Sequence, residues 1–231
     1  MNLCLLDSDS PRFPNPNTAT EEPDGLLAVG GNLSPSTLMS AYRQGIFPWY
    51  HDDDPILWWS PANRCVLFPE QLHISKSLRR CLRQGQFRAS TDEAFAQVVE
   101  ACAAPRRDDA GTWIIDEMIE AYCQLHQLGH AHSIEVWVGD ELAGGIYGVA
   151  VGSVFCGESM FSDRTNGSKV AMAYLCQWLI DQGFKLLDCQ INNPHLEKMG
   201  AQSMPREQYL SWLAAQGDSG LEWPEARPVR W

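Results

Sequence analysis

No run of about 18 apolar residues interrupts this chain of 231 residues, so no membrane-spanning helix is expected. Met1 to Ser10 lacks a basic start and a long apolar core, so no secretory signal is read and the cytosol is the expected compartment. No Cys-x-x-Cys pair occurs. The eight cysteines stand singly at 4, 65, 81, 102, 123, 156, 176 and 189, which speaks against zinc spacings and a disulfide framework and fits small buried side chains in a reducing compartment. Gly-x-Ser-x-Gly is absent as well: in Gly157-Glu158-Ser159-Met160-Phe161 a phenylalanine holds the last glycine position, so a serine-hydrolase elbow is not supported. His126, His130 and His132 cluster without a His-Glu-x-x-His spacing, so structural roles and no metal are expected. No internal repeat is present. Between Gln71 and Thr91 there is no acid at all.

That last absence matters because the chain as a whole is acidic, with a formal net charge of -12. Lys76, Arg79, Arg80, Arg83 and Arg88 place five of the 17 basic residues in one short interval, leaving twelve to face all 29 acids elsewhere. A basic run is ordinarily a solvated helix face, but one isolated in an acidic protein attracts phosphate despite the negative total.

With 45% hydrophobic residues, the length supports one large domain or a medium domain with a small one. Residues 1–63 are rich in Pro, Gly and Trp and read as a small irregular N-terminal domain, with 64–231 as the larger domain. Within the first part, Ser34-Pro35 reads as a cap followed by proline in the first helical turn, and Gly45 closes that helix. A basic helix is predicted near 75–84. Ser90-Thr91-Asp92-Glu93 matches a capping box ahead of a helix with Phe95, Val98, Val99 and Cys102 on one face. Another helix is predicted near 115–128. The period then changes to strands at 134–138, 142–149 and 154–156, with Gly139-Asp140 as a hairpin turn. A helix over 168–182 and a strand over 185–191 follow. That order specifies an α+β fold with a mixed sheet flanked by helices.

Three segments carry possible chemistry. In Leu186-Leu187-Asp188-Cys189-Gln190-Ile191, Asp188 and Gln190 share one strand face, and a carboxylate in so apolar a strand requires a partner. Glu158 and Ser159 end an apolar run. Arg164 to Lys169 resembles in part the pyrophosphate loop of acetyl-CoA-dependent N-acetyltransferases, although Lys169 stands where a small residue is needed; the plain alternative is a helix capped by Ser168. Trp49, Trp58, Trp59 and Trp113 could stack an adenine.

The ordered motifs together resemble the leucyl/phenylalanyl-tRNA–protein transferase family. They are Gly25-Leu26-Leu27-Ala28-Val29-Gly30-Gly31, Ala41 to Trp49, Ile56-Leu57-Trp58-Trp59-Ser60-Pro61, Gly111-Thr112-Trp113-Ile114, Gly129 to Trp137, Gly157 to Ser162, Asp188-Cys189-Gln190 and His195-Leu196. The resemblance runs from Phe13 to about Leu213. It implies a small N-terminal domain beside a larger one similar to the N-acetyltransferase fold. It further implies transfer of Leu, Phe or sometimes Met from aminoacyl-tRNA to proteins beginning with Arg or Lys, which marks them for degradation. By resemblance, Asp188 accepts a hydrogen bond from Gln190, which orients the incoming amine, and Glu158 partners the acceptor's cationic side chain with help from Asn193. Trp49 and Trp113 hold the terminal adenosine. Ile146, Phe155, Met160, Met172, Leu175 and Leu187 line the pocket for the transferred side chain. Lys76, Arg79, Arg80 and Arg83 meet tRNA phosphates. Because the tRNA ester is already activated, no cofactor or metal is expected, and a monomer is expected. Competing readings are an acetyl-CoA-dependent N-acetyltransferase and a non-catalytic RNA-binding module.

Overall fold

The computed structural model describes residues 3–104, 114–216, 221 and 223–229. Its first part is a four-stranded sheet built from β1 (Cys4–Leu6), β2 (Leu26–Gly30), β3 (Phe47–Pro48) and β4 (Leu57–Trp59), in the order β1-β2-β4-β3. Helix α1 (Pro35–Arg43) lies between β2 and β3. Ser34 caps it and Pro35 occupies its first turn, as the sequence signals, and Gly45 turns the chain out at φ 70°. Leu38, Ala41 and Tyr42 form its buried face.

The second part is an eight-stranded sheet. Its elements are β5 (Asn63–Leu67), α2 (Lys76–Arg83), β6 (Arg88–Thr91), α3 (Phe95–Ala103), α4 (Asp116–Gln127), β7 (Ala131–Val138), β8 (Glu141–Val151), β9 (Val154–Ser162), α5 (Gly167–Gln182), β10 (Leu186–Gln190), α6 (Pro194–Lys198), β11 (Gln202–Pro205), α7 (Arg206–Gln216) and β12 (Pro228–Val229). The strand order is β11-β5-β10-β9-β8-β7-β6-β12, with β9 and β10 parallel and the other neighbours antiparallel. The α+β class and mixed sheet expected from the pattern are therefore present. The Gly139-Asp140 turn joins β7 to β8 as the period change indicates.

Helices cover both faces. On one side, α3, α4 and α7 bury Phe95, Val98, Met118, Tyr122, Tyr209 and Leu213 against the sheet, and the same apolar cluster takes in Leu38, Tyr42, Phe47 and Trp58 from the first part. On the other side, α2 and α5 bury Leu78, Leu82, Met172 and Leu175. The two sheets thus share one continuous core on the first face. No helix among the described residues is long and apolar enough to cross a membrane.

Three local expectations are corrected. Ser90 to Glu93 is no capping box: Ser90 and Thr91 belong to β6, and α3 begins at Phe95 after Ala94, with no side-chain cap. Ser90 instead donates its hydroxyl to buried Glu135, so strand pairing with β7 overrides the local helix signal. The strand predicted to stop at Cys156 continues to Ser162. Ser168 does not cap α5; Asn166, left-handed at φ 70°, precedes the helix. There a Cβ on Gly167 would lie 2.3 Å from the Ala143 carbonyl, so only glycine lets the helix start so near β8.

Candidate active site

The site grows from two irregularities in neighbouring parallel strands. In β9 the register against β8 passes from Tyr147↔Ser159 to Gly148↔Gly157, so Glu158 is the extra, unpaired residue of a bulge. Gly148 is required opposite it, because a Cβ there would come within 2.1 Å of the Cys156 carbonyl oxygen. In β10 the register against β5 passes from Asp188↔Val66 to Gln190↔Cys65, a second irregularity. It leaves Gln190 left-handed at φ 61°, a conformation that costs a residue with a Cβ about 1 kcal/mol or more. Bulges re-aim side chains. Here the Gln190 amide Nε2 donates to Glu158 Oε1 at 2.6 Å, linking the two bulges.

Asp188 is wholly buried and holds this arrangement from below. It accepts Arg64 Nε at Oδ1 and Arg64 Nη2 at Oδ2, both at 2.8 Å, the Tyr209 hydroxyl at 2.8 Å, and the Gln190 backbone N–H at 2.9 Å. The last bond stabilises the strained turn of Gln190. The predicted contact between Asp188 and Gln190 is thus made through the main chain, while the Gln190 side chain turns to Glu158. Arg64 is as buried as its partner. Its guanidinium lies over the rings of Phe47 and Tyr209, 4.7 and 4.8 Å from their centroids, and donates to the Gly45 carbonyl at 3.2 Å. The forked geometry suits arginine rather than lysine. The pair joins β5 and β10 to the segment after α1.

Glu158 is half-buried. Its second oxygen accepts the Tyr122 hydroxyl at 2.8 Å, and the Tyr42 and Tyr122 hydroxyls are 2.6 Å apart. Since Tyr122 spends its proton on Glu158, Tyr42 is the donor to Tyr122. Burial pushes the Glu158 carboxyl up to about 7, against the lowering effect of the hydrogen bonds from Tyr122 and Gln190. Burial first, then the Glu158 charge, raises both phenols well above their ordinary value, so they stay protonated donors. Above its own value of about 7 the Glu158 carboxylate is ionised and only accepts, which keeps the Gln190 amide with its nitrogen toward Glu158. The carbonyl Oε1 of Gln190 has no partner among the described residues and can accept a hydrogen bond from an amine N–H.

The other sequence-derived residues lie on several different elements. Ile146, Phe155, Met172, Leu175 and Leu187 are buried in one apolar cluster drawn from β8, β9, α5 and β10, with Met160 half-buried against it. Trp49 is 36% exposed and meets Trp59 edge-on, with centroids 5.6 Å apart. Trp113 lies outside the described residues. Asn193 is committed as the cap of α6, its Oδ1 accepting the His195 and Leu196 amides, each at 3.0 Å. Lys76, Arg79, Arg80 and Arg83 stand exposed along α2 and, with Gln84, line a shallow concavity of about 400 Å³. Arg88 does not join them. It is on β6, pairs with Glu93 at 2.6 Å and lies over the Trp137 ring.

The Arg164 loop is occupied by the fold. The Ser168 amide donates to Ser162 Oγ at 3.2 Å and the Gly167 amide to the Arg164 carbonyl at 2.8 Å, while Arg164 pairs with Glu141. Asp92, His126 and His132 bring their ligating atoms within 4.8 Å of one another. Those atoms are already engaged: His132 Nδ1 lies 2.8 Å from Asp92 Oδ2, His132 Nε2 3.1 Å from the Gly129 carbonyl, and His126 Nδ1 2.8 Å from the Ala131 carbonyl. These contacts tie the end of α4 to β7.

Sequence reasoning missed Arg64, Tyr209, Tyr122 and Tyr42. Arg64 and Tyr209 lie on β5 and α7, elements not predicted from the sequence, and Tyr42 and Tyr122 fit the apolar faces of their helices. The one available signal was the demand of Asp188 for a buried partner.

Two family models match the chain: leucyl/phenylalanyl-tRNA protein transferase over residues 66–214 and the N-terminal domain of the same transferase over residues 31–62. The leucyl/phenylalanyl-tRNA–protein transferase of Idiomarina loihiensis is 55% identical over 91% of this chain and 89% of its own length. That of Shewanella baltica is 49% identical over 100% of this chain and 95% of its own. A GCN5-related N-acetyltransferase from Kribbella flavida superposes with a TM-score of 0.40 at 11% identity, covering 71% of this chain and 58% of that one, too distant a likeness to bear on function. By these matches the protein is a transferase. The chain belongs to the leucyl/phenylalanyl-tRNA protein transferase family.

Proposed function

We propose that the protein moves Leu or Phe, and less often Met, from aminoacyl-tRNA to the N-terminal Arg or Lys of acceptor proteins, forming a peptide bond. Family membership names the reaction class. The observation that carries the site is the Gln190–Glu158 pair, aimed by two bulges and footed on the buried Arg64–Asp188 pair.

In this reading the acceptor's amine attacks the ester carbonyl of the aminoacyl-tRNA. The ester C–O bond breaks, the tRNA ribose oxygen leaves with a proton, and the attacking nitrogen loses one. The free carbonyl of Gln190 receives an amine N–H and orients its lone pair, which is the positional part of catalysis. Glu158 faces the acceptor's guanidinium or ammonium and is fully charged above its own pKa. Asp188 already accepts four hydrogen bonds, so we assign it to positioning rather than to taking the proton. Asn193, anchored at α6, holds acceptor backbone through its amide nitrogen, which has no partner among the described residues.

On the donor side, Trp49 and Trp113 hold the terminal adenosine, and the Ile146, Phe155, Met160, Met172, Leu175 and Leu187 cluster opens to admit an apolar side chain. Such a pocket rejects charge strongly and similar hydrocarbons weakly. Lys76, Arg79, Arg80 and Arg83 meet the acceptor arm through phosphates. A division at 63/64, a monomeric state and a cytosolic address complete the proposal.

Radiolabelled Leu-tRNA mixed with one peptide beginning with Arg and another beginning with Ala tests it. Label passing to the Arg peptide alone, and abolished by ribonuclease pretreatment of the donor, is expected. No transfer from Leu, Phe or Met donors to either peptide would withdraw the enzymatic assignment.

A further inference from the structure

Two thiols flank the site. Cys65 follows Arg64 on β5, and Cys189 lies between Asp188 and Gln190 on β10. Cys65 stands opposite Gln190, and Cys189 is the extra residue between the Asp188↔Val66 and Gln190↔Cys65 pairs. A bulge sets two residues of one strand against one of its partner, so Cys189 and Gln190 share Cys65 as their neighbour. Both thiols belong to the apolar cluster that holds Leu67 and Leu187, whereas the Arg64 guanidinium lies over Phe47 and Tyr209 of the other cluster. The thiol pair therefore stands across the sheet from the buried ion pair. Interaction with the Cys189 thiol holds Cys65 below its ordinary value, against the effect of burial. Cys65 Sγ also lies 3.7 Å from Asn192 Oδ1, and Cys189 Sγ 4.0 Å from the Leu187 carbonyl. Both are free thiols, Cys65 buried and Cys189 partly exposed, and neither has a part in the transfer chemistry.

We propose that Cys65 and Cys189 form an oxidation site, a dithiol that hydrogen peroxide closes into a reversible disulfide and that slows transfer when closed. The slowing rests on the reading of Gln190 given above; the disulfide does not. Opposed Cα atoms of neighbouring antiparallel strands lie about 4.5–5.5 Å apart, inside the range of about 4.4–6.8 Å that a disulfide spans. Cys189 is the thiol the oxidant can reach. Its sulfur attacks the peroxide O–O bond, a sulfenic acid forms, and the departing hydroxide takes the thiol proton to become water. The Cys65 sulfur then attacks that sulfur. The S–S bond forms, the S–O bond breaks, and the hydroxyl leaves with the Cys65 proton as a second water. The two thiols lose two electrons together, and one peroxide gains them. The new bond draws the sulfurs to about 2.05 Å, well inside non-bonded contact. Cys189 is joined by peptide bonds to both Asp188 and Gln190, and Gln190 is already left-handed at φ 61°, stabilised by its N–H bond to Asp188. The backbone that yields is therefore the bulge that aims the Gln190 amide at Glu158.

The test treats the full chain with hydrogen peroxide, traps remaining thiols with N-ethylmaleimide, and reads the digested protein by mass spectrometry, with Leu transfer to an Arg-initiated peptide measured in parallel. A peptide pair joined through Cys65 and Cys189 is expected, with transfer slowed about a hundredfold, the cost of a misplacement of about 1 Å. Dithiothreitol should reverse both. That reversal separates the disulfide from oxidised methionine, which is restored by dedicated reductases. Cys65→Ala, with Cys65→Ser as the second variant should the first disturb the core, is expected to transfer at the wild-type rate before and after peroxide. Absence of the Cys65–Cys189 link, a link that leaves the rate unchanged, or an equal loss of rate in the Cys65 variants overturns the proposal. Failure of the reduced wild type to transfer from any donor strikes the proposed function instead. The mass spectrum then still decides the oxidation site: a reversible Cys65–Cys189 link sustains it, and no link overturns it.

Discussion

Replacing Asp188 by alanine is expected to damage the fold before it reports on catalysis. The carboxylate and the Arg64 guanidinium are both wholly buried and joined by two hydrogen bonds of 2.8 Å. Removing the anion leaves a guanidinium between the Phe47 and Tyr209 rings with the Gly45 carbonyl as its remaining partner, and strips the Tyr209 hydroxyl and the Gln190 amide of their acceptor. Breaking a buried pair from one side costs about 3–5 kcal/mol. A domain's whole stability is about 5–15 kcal/mol, so Asp188→Ala approaches the folding threshold. Replacing both partners by apolar side chains, Arg64→Met with Asp188→Leu, should cost far less than the single change, because no charge is stranded. Urea unfolding followed by tryptophan fluorescence measures both variants, with constant m-values as the check on two-state behaviour. A loss below about 1 kcal/mol in Asp188→Ala, or a double variant less stable than the single one, would refute the reasoning.

Four further outcomes are expected. Burial raises the Glu158 pKa in the folded chain to about 7 from an ordinary 4.5, so the stability tied to its protonated form is present below pH 4.5 and is lost as pH rises through 7. Glu158→Gln should therefore be more stable than wild type at pH 8.5 by about 1–3 kcal/mol, the gain vanishing near pH 4.5, as urea titrations at the two pH values will show. The wild-type KM for an Arg-initiated peptide should fall between pH 6 and 8 and that of the variant should not; a parallel pH dependence in both would remove Glu158 from acceptor binding. Changing Arg79, Arg80 and Arg83 to Ala together should weaken tRNA binding and flatten its dependence on salt by about 2–3 units in the logarithmic slope, and an unchanged slope would return α2 to a merely solvated face. Trp49→Ala should raise the tRNA KM by a factor matching about 1–3 kcal/mol of lost stacking, measured at fixed salt.

The sequence showed the frame of this molecule wherever a local signal and the tertiary fold agree. Ser34-Pro35 starts α1, Gly139-Asp140 turns β7 into β8, and the period of 168–182 and of 185–191 marks α5 and β10. Agreement failed where the sheet overrides the local pattern. Ser90 to Glu93 has the residues of a capping box, yet strand pairing and Glu135 claim Ser90. Polar Glu158 and Ser159 look like the end of a strand, although β9 runs through them by means of a bulge, and a bulge leaves no mark in hydrophobic alternation. The same limit hid the site's geometry. Asp188, Gln190 and Glu158 were visible as polar residues in apolar strands, but their assembly depends on Arg64, 124 positions away from Asp188, and on tyrosines of α1, α4 and α7. Nothing in an α-helical stripe tells a tyrosine that fills the core from one whose hydroxyl holds a carboxylate.

The most direct measurement on the central claim is the single-turnover rate of Gln190→Ala with Leu-tRNA and an Arg-initiated peptide, both saturating. Gln190 donates to Glu158 and has a free carbonyl, while the Arg64–Asp188 footing reaches it only through its main chain, so the variant should unfold like the wild type. The account predicts transfer slowed about a hundredfold through lost orientation of the amine. Transfer at the wild-type rate would show that the paired bulges do not aim the attacking amine, and would contradict the account.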